Sequence, residues 1–213
     1  MKIELEQVLP MEIENRSFEI ITQELGDIVL EEEKAPIIKR VIHTTADFEY
    51  ADTLVFSENA VAKALEALER GASIVTDTQM AKAGINKKVL KKYGGEVFCF
   101  MSDEDVADTA RQKGTTRATA SMDKASLLDK ELIFAIGNAP TALIRLYELM
   151  EEGKLNPALI IGVPVGFVNV VQSKELVIQS GCPHIVARGR KGGSNVAAAI
   201  CNALLYMLNK ERK

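Results

Sequence analysis

The sequence predicts an α/β protein: a three-layer α/β/α sandwich on a doubly wound, mostly parallel five-stranded sheet, with an N-terminal helical segment added. Three observations carry this. Five apolar runs each end in a polar or glycine-rich loop, and a helical pattern follows each loop. The runs are continuously apolar rather than alternating, as expected of strands covered by helices on both faces. Helical patterns also occupy the segment before the first run.

In order along the chain, residues 11–25 place Ile13, Ile20, Ile21 and Leu25 near helical period, and Gly26 supplies a stop. Residues 32–45 repeat the pattern with Ile37, Ile38, Val41 and Ile42 on the apolar side. Residues 53–56 form a short extended run. Ser57 then offers an N-cap to a helix with Val61, Ala64, Leu65 and Leu68 on one face, ending at Gly71. The strands are predicted at 72–76, 96–101, 131–136, 158–162 and 184–188. Helices are predicted at 87–93, 103–112, 117–129, 140–152, 168–180 and 194–209, with Pro140 in a first turn and Ser194 as an N-cap. No repeat, low-complexity tract or linker interrupts the pattern, so 1–213 reads as one domain.

Composition narrows the function classes. A net charge of −4 argues against nucleic acid as a partner, although a local arginine cluster still binds carboxylates. With no tryptophan and 5% aromatic residues, a stacking platform for bases is not expected. The apolar runs are too short to cross a bilayer, and the start, MKIELEQVLP, has no signal-peptide core, so a cytoplasmic protein is expected. Cys99, Cys182 and Cys201 are widely spaced and form no CxxC pair, which signals neither a disulfide framework nor a zinc site.

In a parallel sheet the strand-end loops share one edge, where ligands bind. GRKGGSN at 189–195 combines Gly192 and Gly193, which let backbone N–H groups approach an anion, with Arg190 and Lys191. It reads equally as a tight turn with two solvated cations. In GNAPT at 137–141, Asn138 either caps the following helix or reaches a ligand. In GVPVGFVN at 162–169, Val165, Gly166 and Phe167 either present an apolar surface or fold back into the core. Asp77 and Asp103 end the first two strands, a common N-cap position.

His43 lies three residues after Arg40 on a helical face, so the two side chains are neighbours. An imidazole beside a guanidinium can exchange protons near neutral pH, but a structural histidine at a helix end looks the same. His184 opens a strand and reads as structural. Ser17 sits on the first helix, and Arg117 opens a later one. Walker A, GxGxxG and GxSxG signatures are absent, and metal-ligand types are sparse.

Seven blocks together resemble the precorrin-8X methylmutase family of vitamin B12 biosynthesis. They are IENRSFEII (13–21), RVIHTTADFEYAD (40–52), TDTQMAKAGI (76–85), TTRATASMDKA (115–125), AIGNAPTAL (135–143), IIGVPVGFVNVVQSKE (160–175) and ARGRKGGSNVAAA (187–199). The resemblance implies a flavodoxin-like fold, a homodimer, and an isomerase that moves a methyl group on ring C of a corrinoid without an organic cofactor. It places the family's catalytic histidine at His43 and its substrate contacts at Ser17, Arg40 and Arg117. TTADFEY at 44–50 looks more like the branch whose substrate carries cobalt, so cobalt is expected inside the substrate and not in a protein site. Against a polycarboxylated macrocycle, Asp77, Asn138, Val165, Gly166, Phe167, Arg190, Lys191, Gly192 and Gly193 become candidate walls of the site. A non-catalytic tetrapyrrole-binding protein and a nucleotide-binding protein of the same fold are the competing readings.

Overall fold

The structure, a computed structural model, describes residues 5–209; the first four residues of the N-terminal stretch read above lie outside them. The elements are α1 (Ile13–Leu25), α2 (Ala35–Thr45), α3 (Tyr50–Thr53), β1 (Leu54–Phe56), α4 (Ala60–Glu69) and β2 (Ser73–Thr76). Then come α5 (Gln79–Gly84), α6 (Lys87–Lys92), β3 (Val97–Phe98), α7 (Glu104–Lys113), α8 (Arg117–Ala125) and β4 (Leu132–Ile136). The chain continues with α9 (Pro140–Glu151), β5 (Leu159–Gly162), α10 (Val170–Gln179), β6 (His184–Ala187) and α11 (Ser194–Leu208).

The sheet has six strands in the order β1-β6-β5-β4-β2-β3, not the five expected. The five expected strands are present and parallel, and their order reverses between β2 and β4. The sixth is the 53–56 run, which pairs antiparallel with β6 at the edge. A three-residue segment carries too little pattern to declare itself a strand. Ser57 extends that pairing: its N–H donates to the His184 carbonyl at 3.0 Å and its Oγ accepts from His184 N–H at 2.9 Å. Ser57 is therefore not a helix cap; Asn59 holds that position at φ 56°. The expected strand at 96–101 shrinks to Val97–Phe98.

Two-sided burial explains the continuous apolarity of the strands. In β4, Ile133 and Ala135 face a core shared with α1, α2, α4 and α11. Leu132, Phe134 and Ile136 face a second core shared with α8 and α9. α11 is the main buttress of the first layer and packs on α2, α4 and α5. Its small residues allow this: a Cβ on Gly84 of α5 would come within 3.0 Å of the Ala198 Cβ.

The strand-end loops are bonded to one another. Gly193 N–H donates to the Val163 carbonyl at 2.8 Å, and Gly166 N–H to the Arg190 carbonyl at 3.2 Å. A Cβ on Gly192 (φ 157°) would lie 2.0 Å from the Val163 oxygen, so this approach requires glycine. Ser194, expected as an N-cap, is instead the first residue of α11; Gly193 precedes it, and the Ser194 hydroxyl bonds that of Thr78 at 2.8 Å.

Asp77 departs from its expected role as a substrate contact. It is fully buried, and its carboxylate accepts from the N–H groups of Gly137 (2.9 Å), Asn138 (2.8 Å) and Ala139 (2.6 Å). It clamps the β4–α9 loop from beneath and has no face open to a ligand. Burial pushes its pKa up, and the three N–H donors pull it back.

Two predictions follow from these buried polar groups. Asp77→Ala leaves three N–H donors without acceptors and should cost about 3 kcal/mol or more, read as a lower urea midpoint. His184 is buried beside the Cys182 carbonyl, and burial holds its pKa below the ordinary 6.5. The unfolded chain then takes up a proton that the folded one refuses, so stability should fall as pH drops below 6.5. In urea titrations from about pH 7.5 to about pH 5, His184→Gln should show a shallower loss than the parent.

Candidate active site

α2 ends at Ala46, whose left-handed backbone (φ 53°) turns the chain away from the helix. This leaves His43 exposed in the last turn, on the edge that carries the strand-end loops. Phe18 of α1 stacks on its imidazole, with ring centroids 5.3 Å apart and planes at 24°. The Arg40 guanidinium lies 4.7 Å from the same Phe18 ring and 5.2 Å from the ring of Tyr206 on α11, and it pairs with Glu14. Arg40 and His43 thus share one face, as their spacing predicts, and an aromatic ring joins them.

His43 stands on a ridge between two clefts. One, of about 320 Å³, is lined by Ser17, Ile20, Ile21 and Phe48 among others. The second, of about 290 Å³, runs along α11 past Arg40, Asn195, Asn202 and Tyr206. Ser17 opens into the first cleft, and its hydroxyl donates to the Ile13 carbonyl at 2.8 Å, which leaves its oxygen free to accept.

The loop 189–193 is tied to the end of α2. Lys191 Nζ lies 2.6 Å from Asp47 and 2.8 Å from Glu49, and these carboxylates push its pKa up to about 12. Asp47 is in turn held below the usual carboxylate range by Lys191. Lys191 therefore straps two parts of the site together while its side chain stays 45% exposed. Arg190 is exposed, with its guanidinium 5.5 Å from the Phe167 ring centroid. Phe167 is 80% exposed, as is Val168, and Val165 is 49% exposed. These side chains present an apolar surface instead of folding into the core.

Arg117 and Asn138 stand on other elements of the loop edge. Arg117 opens α8, which packs in the opposite helical layer; the hydroxyl of Thr116 before it bonds Thr119 N–H and Thr141 Oγ1. Asn138 is exposed and caps nothing, because Ala139 occupies the cap position of α9. Sequence reasoning missed Phe18, Glu14 and Tyr206, although Phe18 and Tyr206 are sparse aromatics within helical patterns. It also missed Lys174, which reads as an ordinary charged helix residue.

The arrangement offers one exposed imidazole, a half-buried cation beside it, a hydroxyl and apolar walls. That suits proton exchange with a flat, anionic, largely apolar ligand. Among the described residues no cluster of three or more His, Cys, Asp or Glu side chains is placed to hold a metal. The thiols of Cys182 and Cys201 are buried and pushed up to about 12, which removes them as nucleophiles.

The chain is similar to known proteins. The family profile described as precorrin-8X methylmutase matches residues 12–207. A cobalt-precorrin-8 methylmutase of Priestia megaterium is 46% identical over 197 residues, covering 92% of this chain and 88% of the relative. Another, from Salmonella typhimurium (strain LT2), is 46% identical over 211 residues, covering 94% and 97%. The crystal structure of a precorrin-8x methyl mutase from Thermus thermophilus superposes with a TM-score of 0.85 at 38% identity, covering 95% of this chain and 100% of that one. On sequence and on fold alike, the chain belongs to the precorrin-8X methylmutase family.

Proposed function

We propose that the protein is an isomerase of vitamin B12 biosynthesis that converts cobalt-precorrin-8 to cobyrinic acid by moving a methyl group on ring C, with His43 as proton donor and acceptor. The observation that carries this is the exposed His43 on its ridge, flanked by Phe18, Arg40 and Ser17, in a member of this family. The two relatives at 46% identity bear the cobalt-precorrin-8 name, which supports the cobalt branch. Cobalt then belongs to the substrate, and on this reading the reaction uses no organic cofactor.

The migration breaks one carbon–carbon bond and forms another on the neighbouring carbon, so the protein has a conjugated ring to hold and a charge to manage. A macrocycle spanning both clefts rests its face on the ridge, against His43. Imidazolium there donates a proton to the ring as electron density shifts, and the neutral imidazole takes one back. Arg40 and Arg190 meet peripheral carboxylates, Ser17 a polar edge, and Val165 and Phe167 the apolar face. Arg117 and Asn138 extend the walls along the loop edge, whereas Gly193 N–H, expected to approach an anion, is already bonded to the Val163 carbonyl. Catalysis is then mainly positioning plus proton exchange.

The homodimer is part of the same reading, and exposed apolar side chains at Leu9 (61% exposed), Met11 (84%) and Ile13 (53%) are ones a partner could cover. The protein is read as cytoplasmic and as one catalytic unit over its length. Among the described residues no helix is long and apolar enough to cross a membrane.

The test is spectroscopic. The parent, given metal-free and cobalt-containing precorrin-8 separately, should generate the rearranged corrin spectrum faster from the cobalt form. His43→Ala should still bind cobyrinic acid but convert precursor at least about a hundredfold more slowly. Turnover by His43→Ala at the parental rate would remove the histidine from the mechanism. A coloured complex of the parent with no conversion would instead favour a carrier.

A further inference from the structure

α10 carries Lys174, a residue whose side chain is wholly buried. Among the described residues it has no carboxylate partner. Its ammonium donates to two backbone carbonyls, Gly189 O and Lys191 O, each at 2.8 Å. A buried ammonium solvated by neutral carbonyls alone is costly, and its pKa is pulled down to about 8 by that burial. An apolar side chain would fill the space between helix and loop without that cost. The charge therefore has a task that packing does not supply, and the contacts show which.

The two carbonyls flank Arg190. Both turn inward to Lys174, and the carbonyl of Arg190 itself accepts from Gly166 N–H at 3.2 Å. Three successive carbonyls are thus held, and Gly189 at φ 78° and Gly192 at φ 157° supply the backbone freedom this turn needs. With its backbone fastened, the Arg190 side chain projects outward and lies over Phe167.

We propose that Lys174 is a positioning residue for the substrate site: it fixes the 189–191 turn so that Arg190 stands over Phe167 as a preset anion contact. This rests on the reading of the site as a corrinoid site. Its energetic logic is preorganisation. An arginine on a free loop would have to be ordered on binding, whereas here the fold has already ordered its backbone.

The experiment compares the full-length parent, Lys174→Met, Arg190→Ala and the double variant. Two readouts are taken: amide hydrogen exchange without ligand, and the Kd for cobyrinic acid. Lys174→Met keeps the length and apolar stem but removes the donors. Exchange should quicken at Gly166 and Gly193 N–H, the amides bonded across these loops, while β4 amides stay protected. The Kd should rise roughly tenfold in Lys174→Met, and the double variant should bind no more weakly than Arg190→Ala alone. Unchanged exchange at both amides overturns the proposal. So does an Arg190→Ala variant that binds like the parent, or losses that multiply in the double variant. If Lys174→Met does not fold, Lys174→Gln, a shorter neutral donor, carries the same comparison. Failure of the parent to bind cobyrinic acid would count against the functional reading, and exchange at Gly166 and Gly193 would then decide the tether by itself.

Discussion

At the edge where the strands end, backbone polar groups of the loops are bonded within the protein, and much of the structure around the site follows from that. Loops ordinarily leave their backbone polar groups to water. Here the strand-end loops pack on one another, so those groups must find partners inside the protein. Two buried charges of opposite sign do this work at different points. The Asp77 carboxylate gathers three N–H groups of the β4–α9 loop, and the Lys174 ammonium gathers two carbonyls of the β6–α11 loop. Glycines close the remaining gap, with Gly192 against Val163 and Gly137 against Ser194. The result is a wall whose backbone is satisfied from within, leaving side chains such as Arg190 and Phe167 to face outward.

The imidazole proposed to exchange protons comes from elsewhere. α2 rests on α11, and α11 rests on the sheet, so the position of His43 is set by helix packing and not by a strand end. Phe18 and Tyr206 then trap Arg40 between two rings beside it. Lys191 joins these two systems by reaching from the loop wall to Asp47 and Glu49, just past the end of α2. A ligand lying on His43 would therefore touch a helix pair on one side and a braced loop wall on the other.

Much of this was legible in the chain. Continuous apolar runs announced five parallel strands because both faces of each are buried, and Pro140 and Gly26 marked a helix start and a helix end as expected. The Arg40–His43 pairing was readable because helix geometry makes residues three apart neighbours. What was not readable shares one cause. The edge strand β1, the clamp at Asp77, the strap at Lys191 and the anchor at Lys174 all depend on partners distant in sequence. A charged residue at a strand end or on a helix has the same local signature whether it meets solvent, a ligand or a buried backbone group.

By itself, then, the sequence determined the α/β class, the parallel strands, the helix carrying His43 and Arg40, and, through seven ordered blocks, the family. These are properties of local periodicity and of motif order, which the chain carries residue by residue. Tertiary structure alone decided which polar residues remain available for chemistry. It withdrew Asp77 into the scaffold, paired Lys191 with Asp47, exposed Phe167, and set Phe18 against His43. The physical reason is that availability depends on desolvation and on partners, and both are set only when segments far apart in the chain pack together.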